Sequence, residues 1–207
     1  MAWSPDYCTT EELSSFLRVP GLDDQDEVFQ AVAISAASRA IDRACHRQFG
    51  KDDAPTTRYY TASFDRQSRR WVVDIDDLMN VSGLVVAYDQ ADDQTYDSVV
   101  QGYRLAPINA VANGMPWTGL TMNHGASPGL GGIEHGVRVT GSFGWSAVPA
   151  GIKQATLLQA SRLLARRDSP YGIAGSPDVG SELRLLAKLD PDVEVSVTPY
   201  KRSWWVA

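Results

Sequence analysis

The sequence predicts an α+β chain, mainly α, with helices at both ends, a β-rich insertion over about 56–145 and an extended tail over 193–207. Three observations predict it. Apolar residues recur at helical spacing before residue 50 and after residue 149. Between those points the pattern changes to short β-prone runs separated by turn residues. There is no internal repeat and no regular βαβ alternation, which argues against a doubly wound fold.

The first helix is expected over 9–18. Thr9 and Thr10 precede Glu11 and Glu12, an N-cap followed by acidic residues in the first turn. Leu13, Phe16 and Leu17 follow at helical spacing, and Pro20-Gly21 stops the run. The second helix is expected over 24–48. Phe29, Ala33, Ala36, Ala37, Ala40 and Ala44 are read as one face, with Val32 and Ile41 beside it. Arg39, Asp42, Arg43 and Arg47 read as the polar side, and Gly50 as the stop.

In the insertion, candidate strands are Arg58–Thr61, Trp71–Ile75, Val81–Tyr88, Val99–Leu105 and Gly136–Gly141. Asn109 to Gly132, rich in Gly, Asn and Pro, is expected to be an irregular loop. A third helix is expected over 151–167, carried by Ile152, Ala155, Leu158, Ala160, Leu163 and Leu164. Arg162, Arg166 and Arg167 suit its C-terminal end. A short fourth helix is expected over 181–189, closed by Asp190-Pro191. The expected organisation is one domain over 1–192 followed by the tail.

Composition narrows the function. The 207 residues carry 19 Lys and Arg against 25 Asp and Glu, a net charge of -6, which disfavours a general nucleic-acid binder. Residues 151–207 hold 8 of those basic residues against 6 acidic ones, so the basic charge leans toward the C-terminus. No stretch approaches the roughly 20 apolar residues of a membrane span. The first ten residues lack a signal-peptide pattern, and Cys8 and Cys45 form neither a disulfide framework nor a zinc motif. The expectation is a soluble protein of a reducing cytoplasm.

Catalytic signals are sparse. His124 and His135 lie in the Gly-rich middle, with Glu134 adjacent. They define a small-hydrolase reading, against the plainer one of two surface-loop histidines. Gly129–Gly132 lacks the Lys-Ser/Thr of a P-loop, and G-x-S-x-G is absent. Cys45 reads as a packed side chain. Asp74, Asp76 and Asp77, and likewise Asp89, Asp92 and Asp93, lack the Ca²⁺-loop pattern and read as solvated turns. No catalytic residue, cofactor or metal ligand is assigned. The tail stands out: Tyr200, Lys201, Arg202, Trp204, Trp205 and Val206 combine aromatic and basic residues of the kind that anchor interfaces, and docking on a partner is read ahead of packing onto the chain's own core.

Taken in order, several stretches carry a likeness. They are Tyr7–Leu13, the Ala36–Phe49 run (AASRAIDRACHRQF), Val139–Trp145 followed by Val148-Pro149, Arg166–Gly172, and Asp190-Pro191. Together they make the chain resemble the head-to-tail connector (adaptor) proteins of long-tailed bacteriophages. The resemblance implies a helical-bundle core of connector type, closed into a ring of about twelve copies. The ring would sit beneath the portal protein, above stopper or tail proteins, in the neck of a virion assembled in the host bacterial cytoplasm. Genomic DNA would pass without sequence-specific binding, and no enzyme activity is implied. Portal docking through Tyr200, Lys201, Arg202, Trp204, Trp205 and Val206 is the expectation for the tail. The competing readings are a tail-completion or stopper neck protein and the small hydrolase using the His124/His135 loop.

Overall fold

The computed structural model describes residues 4–18, 24–122, 133–168, 173–174, 183–184 and 189–202. The chain divides into two compact units, residues 50–147 and residues 4–49 with 148–202.

The 50–147 unit is built from strands β1 (Thr56–Tyr60), β2 (Ser63–Asp65), β3 (Arg70–Leu78), β4 (Val85–Tyr88), β5 (Ser98–Val99), β6 (Tyr103–Ala106), β7 (Trp117–Met122) and β8 (Val137–Gly141). They form two four-stranded sheets, ordered β1-β8-β4-β5 and β2-β3-β7-β6, with every pair antiparallel. Alternation along the strands aims one side inward. Val73, Ile75, Leu120 and Met122 of one sheet and Val86, Val137 and Val139 of the other enter one core with Leu78 and Phe143. Each full burial of such a side chain is worth roughly 1.5–3 kcal/mol. A register shift between Asp74 and Leu78 breaks the alternation, so that consecutive Asp77 and Leu78 are both buried.

The other unit is helical. It holds α1 (Thr10–Leu17), α2 (Asp24–Cys45), α3 (Ala150–Asp168) and α4 (Pro191–Val197), with β9 (Ile173–Ala174) paired antiparallel to β10 (Leu183–Arg184). A capping box starts α1: Thr9 Oγ1 accepts from the Glu12 amide at 3.3 Å, and Glu12 accepts from the Thr9 amide at 3.1 Å. Leu13, Ala33, Ile34 and Ala37 pack with Ala160 of α3 and with Cys8. Residues 4–8 are tied along α2. The Tyr7 amide donates to Ser38 Oγ at 3.2 Å, and Arg39 donates to the carbonyls of Ser4 and Pro5 at 2.7 and 2.8 Å.

Several expectations are corrected. The helical-bundle core is replaced by a sheet-rich α+β fold, 25% strand and 37% helix among the described residues. The insertion builds its own two-sheet core rather than decorating a bundle. The irregular loop expected over 109–132 holds a 3₁₀ turn at Val111–Asn113 and then β7, which lies between β3 and β6; residues 123–132 lie outside the described set. The buried stripe of α2 is Gln30, Ala33, Ile34, Ala37, Ser38, Ile41 and Cys45, whereas Phe29, Val32 and Ala36 face outward. In the C-terminal region, Leu183-Arg184 of the helix expected over 181–189 pairs its backbone with β9. The extended tail is instead helical over 191–200, in α4 and a 3₁₀ turn at Thr198–Tyr200. Asp190-Pro191 therefore opens a helix rather than closing one. Asp190 caps the Asp192 amide at 2.9 Å, and Pro191 takes the first helical position, where its missing N–H is no loss.

Candidate functional site

The segment expected to dock begins as part of the helical unit. Val193 and Val197 bury one side of α4. The following 3₁₀ turn delivers Tyr200 to Phe49, edge to face, with centroids 5.8 Å apart at 87°. Phe49 meets Tyr7 in the same way at 5.7 Å and 82°. Such contacts add about 0.5–1.5 kcal/mol beyond area burial. Arg202 is only 8% exposed, and its amide donates to the Cys45 carbonyl at 2.8 Å. Lys201 is exposed and pairs with Glu194. Tyr200 and Arg202 thus lie on the chain's own core and hold it in place as far as residue 202. Trp204, Trp205 and Val206 lie outside the described residues.

Around Tyr7 the polar chemistry is tightly knit. Its hydroxyl donates to Asp42 and accepts from the Phe49 amide at 2.9 Å. Arg39 Nε donates to the other Asp42 oxygen at 2.7 Å. Burial pushes the Tyr7 hydroxyl well above its ordinary pKa, and the Asp42 hydrogen bond adds to it. Burial also raises the Asp42 carboxyl, against the opposing effects of Tyr7 and Arg39.

The Phe143-Gly144-Trp145 run has a separate role inside the 50–147 unit. Phe143 is fully buried, with the Arg58 guanidinium over its ring at 4.3 Å. Arg58 also donates to Asp52 at 2.9 Å and to Asp76 at 2.7 Å. Gly144 has φ +110°, and a Cβ there would stand 2.2 Å from the Gly50 carbonyl oxygen. Its amide donates to the Asp77 carbonyl at 2.6 Å, and the Trp145 amide donates to the Gly50 carbonyl at 2.9 Å. The buried Trp145 indole N–H donates to the Asp77 carboxylate at 2.8 Å. Asp74, Asp76 and Asp77 therefore sit on β3, not in a solvated turn. In the second acidic group, Asp92 and Asp93 are exposed, but Asp89 is buried. Burial pushes its carboxyl up, yet the amides of Gln94, Asp93, Ala91 and Asp92 outweigh that and hold it below the usual range.

The other chemical candidates do not converge. His135 is mostly exposed, and its Nε2 lies 3.7 Å from the still more exposed Glu134. His124 lies outside the described residues. Burial pushes the Cys8 thiol up to about 11 and the Cys45 thiol up to about 12, the opposite of an activated nucleophile. Among the described residues no three His, Cys, Asp or Glu side chains come together to hold a metal ion. Among those residues no helix is long and apolar enough to cross a membrane.

Sequence reasoning put Asp77 in a solvated turn and gave Arg58 no role beyond opening a strand. Asp77 is 68 residues from Trp145, and no local spacing announces their pairing. Arg58 lies 85 positions before Phe143, equally far from any local signal. No protein-family model and no curated protein matches this chain.

Proposed function

We propose that this protein is a head-to-tail adaptor of a long-tailed bacteriophage. It is a structural virion protein that forms a ring beneath the portal, extends the DNA channel and offers a platform to stopper or tail proteins. The ordered likeness from Tyr7 to Pro191 carries the reading. Its support is that the resembling positions are structurally demanding ones. Ser38, Ile41 and Cys45 are buried in α2, Phe49 joins the aromatic cluster, and Phe143, Gly144 and Trp145 lock the sheet unit. Residues with such duties are not interchangeable, so a likeness seated on them carries more weight than one of composition.

In this reading the working parts are surfaces. Ring closure uses a repeated heterologous contact between copies, about twelve of them. The acidic balance keeps passing DNA from sticking to the protein. Trp204 and Trp205 are the anchors on the portal, with Val206 beside them. Tyr200 and Arg202 fix the point from which they act, and exposed Lys201 borders it.

Quantitative mass spectrometry of purified virions and of tailless heads tests this. Near-equal amounts of chain and portal subunit, retained on tailless heads, are expected. Recovery with isolated tails would favour a tail-completion or stopper protein, and absence from particles would overturn the structural reading. Deleting Ser203–Ala207 should abolish attachment to the portal while leaving the far-UV circular dichroism unchanged. A deletion variant that joins heads normally would remove the tail from the docking role.

A further inference from the structure

We infer that the tip of the β2–β3 hairpin is a contact for the phosphate backbone of duplex DNA, made without regard to base sequence. The inference does not rest on the adaptor reading, since it concerns what the free chain binds in solution.

The net charge of -6 makes any basic patch on this chain a local departure. Between Ser63 and Val72 the balance reverses: Arg66, Arg69 and Arg70 stand against Asp65 alone. Asp65 opposes Arg70 across the last rung of the hairpin, and residues 66–69 form its loop. The Asp65 carboxylate is engaged within that loop, one oxygen accepting from the Gln67 amide at 2.9 Å and the other from the Ser68 amide at 3.2 Å. Arg66 and Arg69 are exposed, and neither has an ion-pair or hydrogen-bond partner among the described residues. Arg69 supplies a second, independent observation. Its φ of 55° is left-handed, a conformation that Gly or Asn adopts with less strain. Either would close the same loop, so folding alone does not account for an arginine there. A strained guanidinium at a loop tip, with no partner in its own chain, fits a partner outside it.

The patch continues over the outer face of the β2-β3-β7-β6 sheet. Arg70 and Val72 share one side of β3 by alternation; Val72 opposes Thr121 of β7, and Thr121 opposes Arg104 of β6. Arg104 is exposed and, among the described residues, likewise without an ion-pair or hydrogen-bond partner. It stands two residues along and two strands across from Arg70, about 12 Å away at ~3.3 Å per residue and ~4.8 Å per strand. Asp74 shares the face but lies farther from the tip, so the hairpin end is the positive one.

That layout favours DNA over an acidic protein. Duplex DNA carries a charge about every 1.7 Å along its axis, so cations spread over the patch each find a phosphate without a matching shape. A guanidinium offers phosphate two parallel N–H donors, and Gln67 and Thr121 beside the arginines are of the polar types that bond it. A protein partner calls for an apolar anchor, and among the described residues no large apolar side chain on this face is exposed. With three or four phosphate contacts and an opposing net charge, the binding is weak and salt-sensitive.

Fluorescence anisotropy of a labelled DNA duplex of about 20 base pairs, titrated with the full chain, tests the inference. Binding is expected at about 50 mM NaCl, falling about 20- to 50-fold by about 150 mM, the slope of three or four phosphate contacts. Arg69→Gly separates binding from folding. It relieves the left-handed strain, so the thermal midpoint should hold or rise, while affinity at about 50 mM NaCl falls about ten-fold and the salt slope drops by about one. Arg66→Ala and Arg104→Ala should each lower the slope by the same step. Arg43→Ala, at an exposed arginine of α2, controls for bulk charge and should leave binding unchanged. No binding at about 50 mM NaCl, an Arg69→Gly chain that binds like the native one, or an equal loss in Arg43→Ala would each overturn the inference. So would polyglutamate that displaces the duplex as well as unlabelled DNA does, which would mark the patch as a site for acidic protein.

Discussion

Replacing Gly144 by Ala perturbs one backbone position with two separable penalties. The first is conformational. Gly144 has φ +110°, a region L-residues rarely adopt, and holding Ala there costs about 1–3 kcal/mol. The second is steric. The new Cβ would lie 2.2 Å from the Gly50 carbonyl oxygen and 2.6 Å from the Lys51 Cα, both backbone atoms that cannot swing aside. Relieving that overlap moves the junction that carries the Gly144–Asp77 and Trp145–Gly50 bonds, at the ~1–3 kcal/mol typical of overpacking. The expected total is about 3–5 kcal/mol, at the upper end for a single substitution. Gly83 supplies the control. Its φ is +72°, but nothing lies within 4 Å of a Cβ there. Gly83→Ala should therefore show only the conformational part, about 1–2 kcal/mol. Urea unfolding followed by near-ultraviolet circular dichroism measures both. With a slope of about 2 kcal/mol per molar, Gly144→Ala should bring the midpoint down by about 2 M and Gly83→Ala by under about 1 M. If the two variants differ by less than about 1 kcal/mol, the low end of an overpacking penalty, the crowding argument fails.

Two further outcomes are expected. Cys8 and Cys45 have folded pKa values of about 11 and about 12, both above the ordinary thiol value of 9.0. Their stabilising contribution is thus complete below pH 9 and lost as the pH rises toward 11–12, because only the unfolded chain releases the protons early. A Cys8→Ala/Cys45→Ala variant should show a flatter fall in stability from about pH 9 to about pH 10.5; identical slopes would refute it. Asp190→Ala removes both the α4 cap and the 3.3 Å pair with Arg162, and should lower stability by about 1–2 kcal/mol. Asp190→Asn keeps the cap and should lose less, as thermal unfolding of the two variants would reveal.

The legible parts of the fold were those with local causes. The Thr9–Glu12 box announces α1, and the apolar spacing of 152–164 announces α3. The buried face of α2 was misread because alanine occupies both sides of the helix. Ala33 and Ala37 are buried while Ala36 is exposed, and residues of one size give the periodicity no contrast. Strand β7 was hidden by its company. Trp117-Thr-Gly-Leu-Thr-Met follows Asn, Gly and Pro residues that signal a loop, and it becomes a strand only because β3 and β6 flank it. The aromatic cluster Tyr7–Phe49–Tyr200 joins almost opposite ends of the sequence, and the polar partner of Trp145 is 68 positions away. Pairings of that range are decided by topology and leave no trace in spacing.

The bond from the Trp145 amide to the Gly50 carbonyl has a consequence for how the gene product can be rearranged. The two ends of the 50–147 unit are stitched at one point, so the segment leaves and returns to the rest of the chain at a single seam. A segment closed in this way can be cut out and carried to another host loop, or joined end to end and reopened in the exposed turn after Tyr88. Among the described residues its core runs from Ala62 to Phe143. The helical unit keeps residues 49 and 148 as the ends to be bridged. Between those two residues the chain is one closed block with a core of its own.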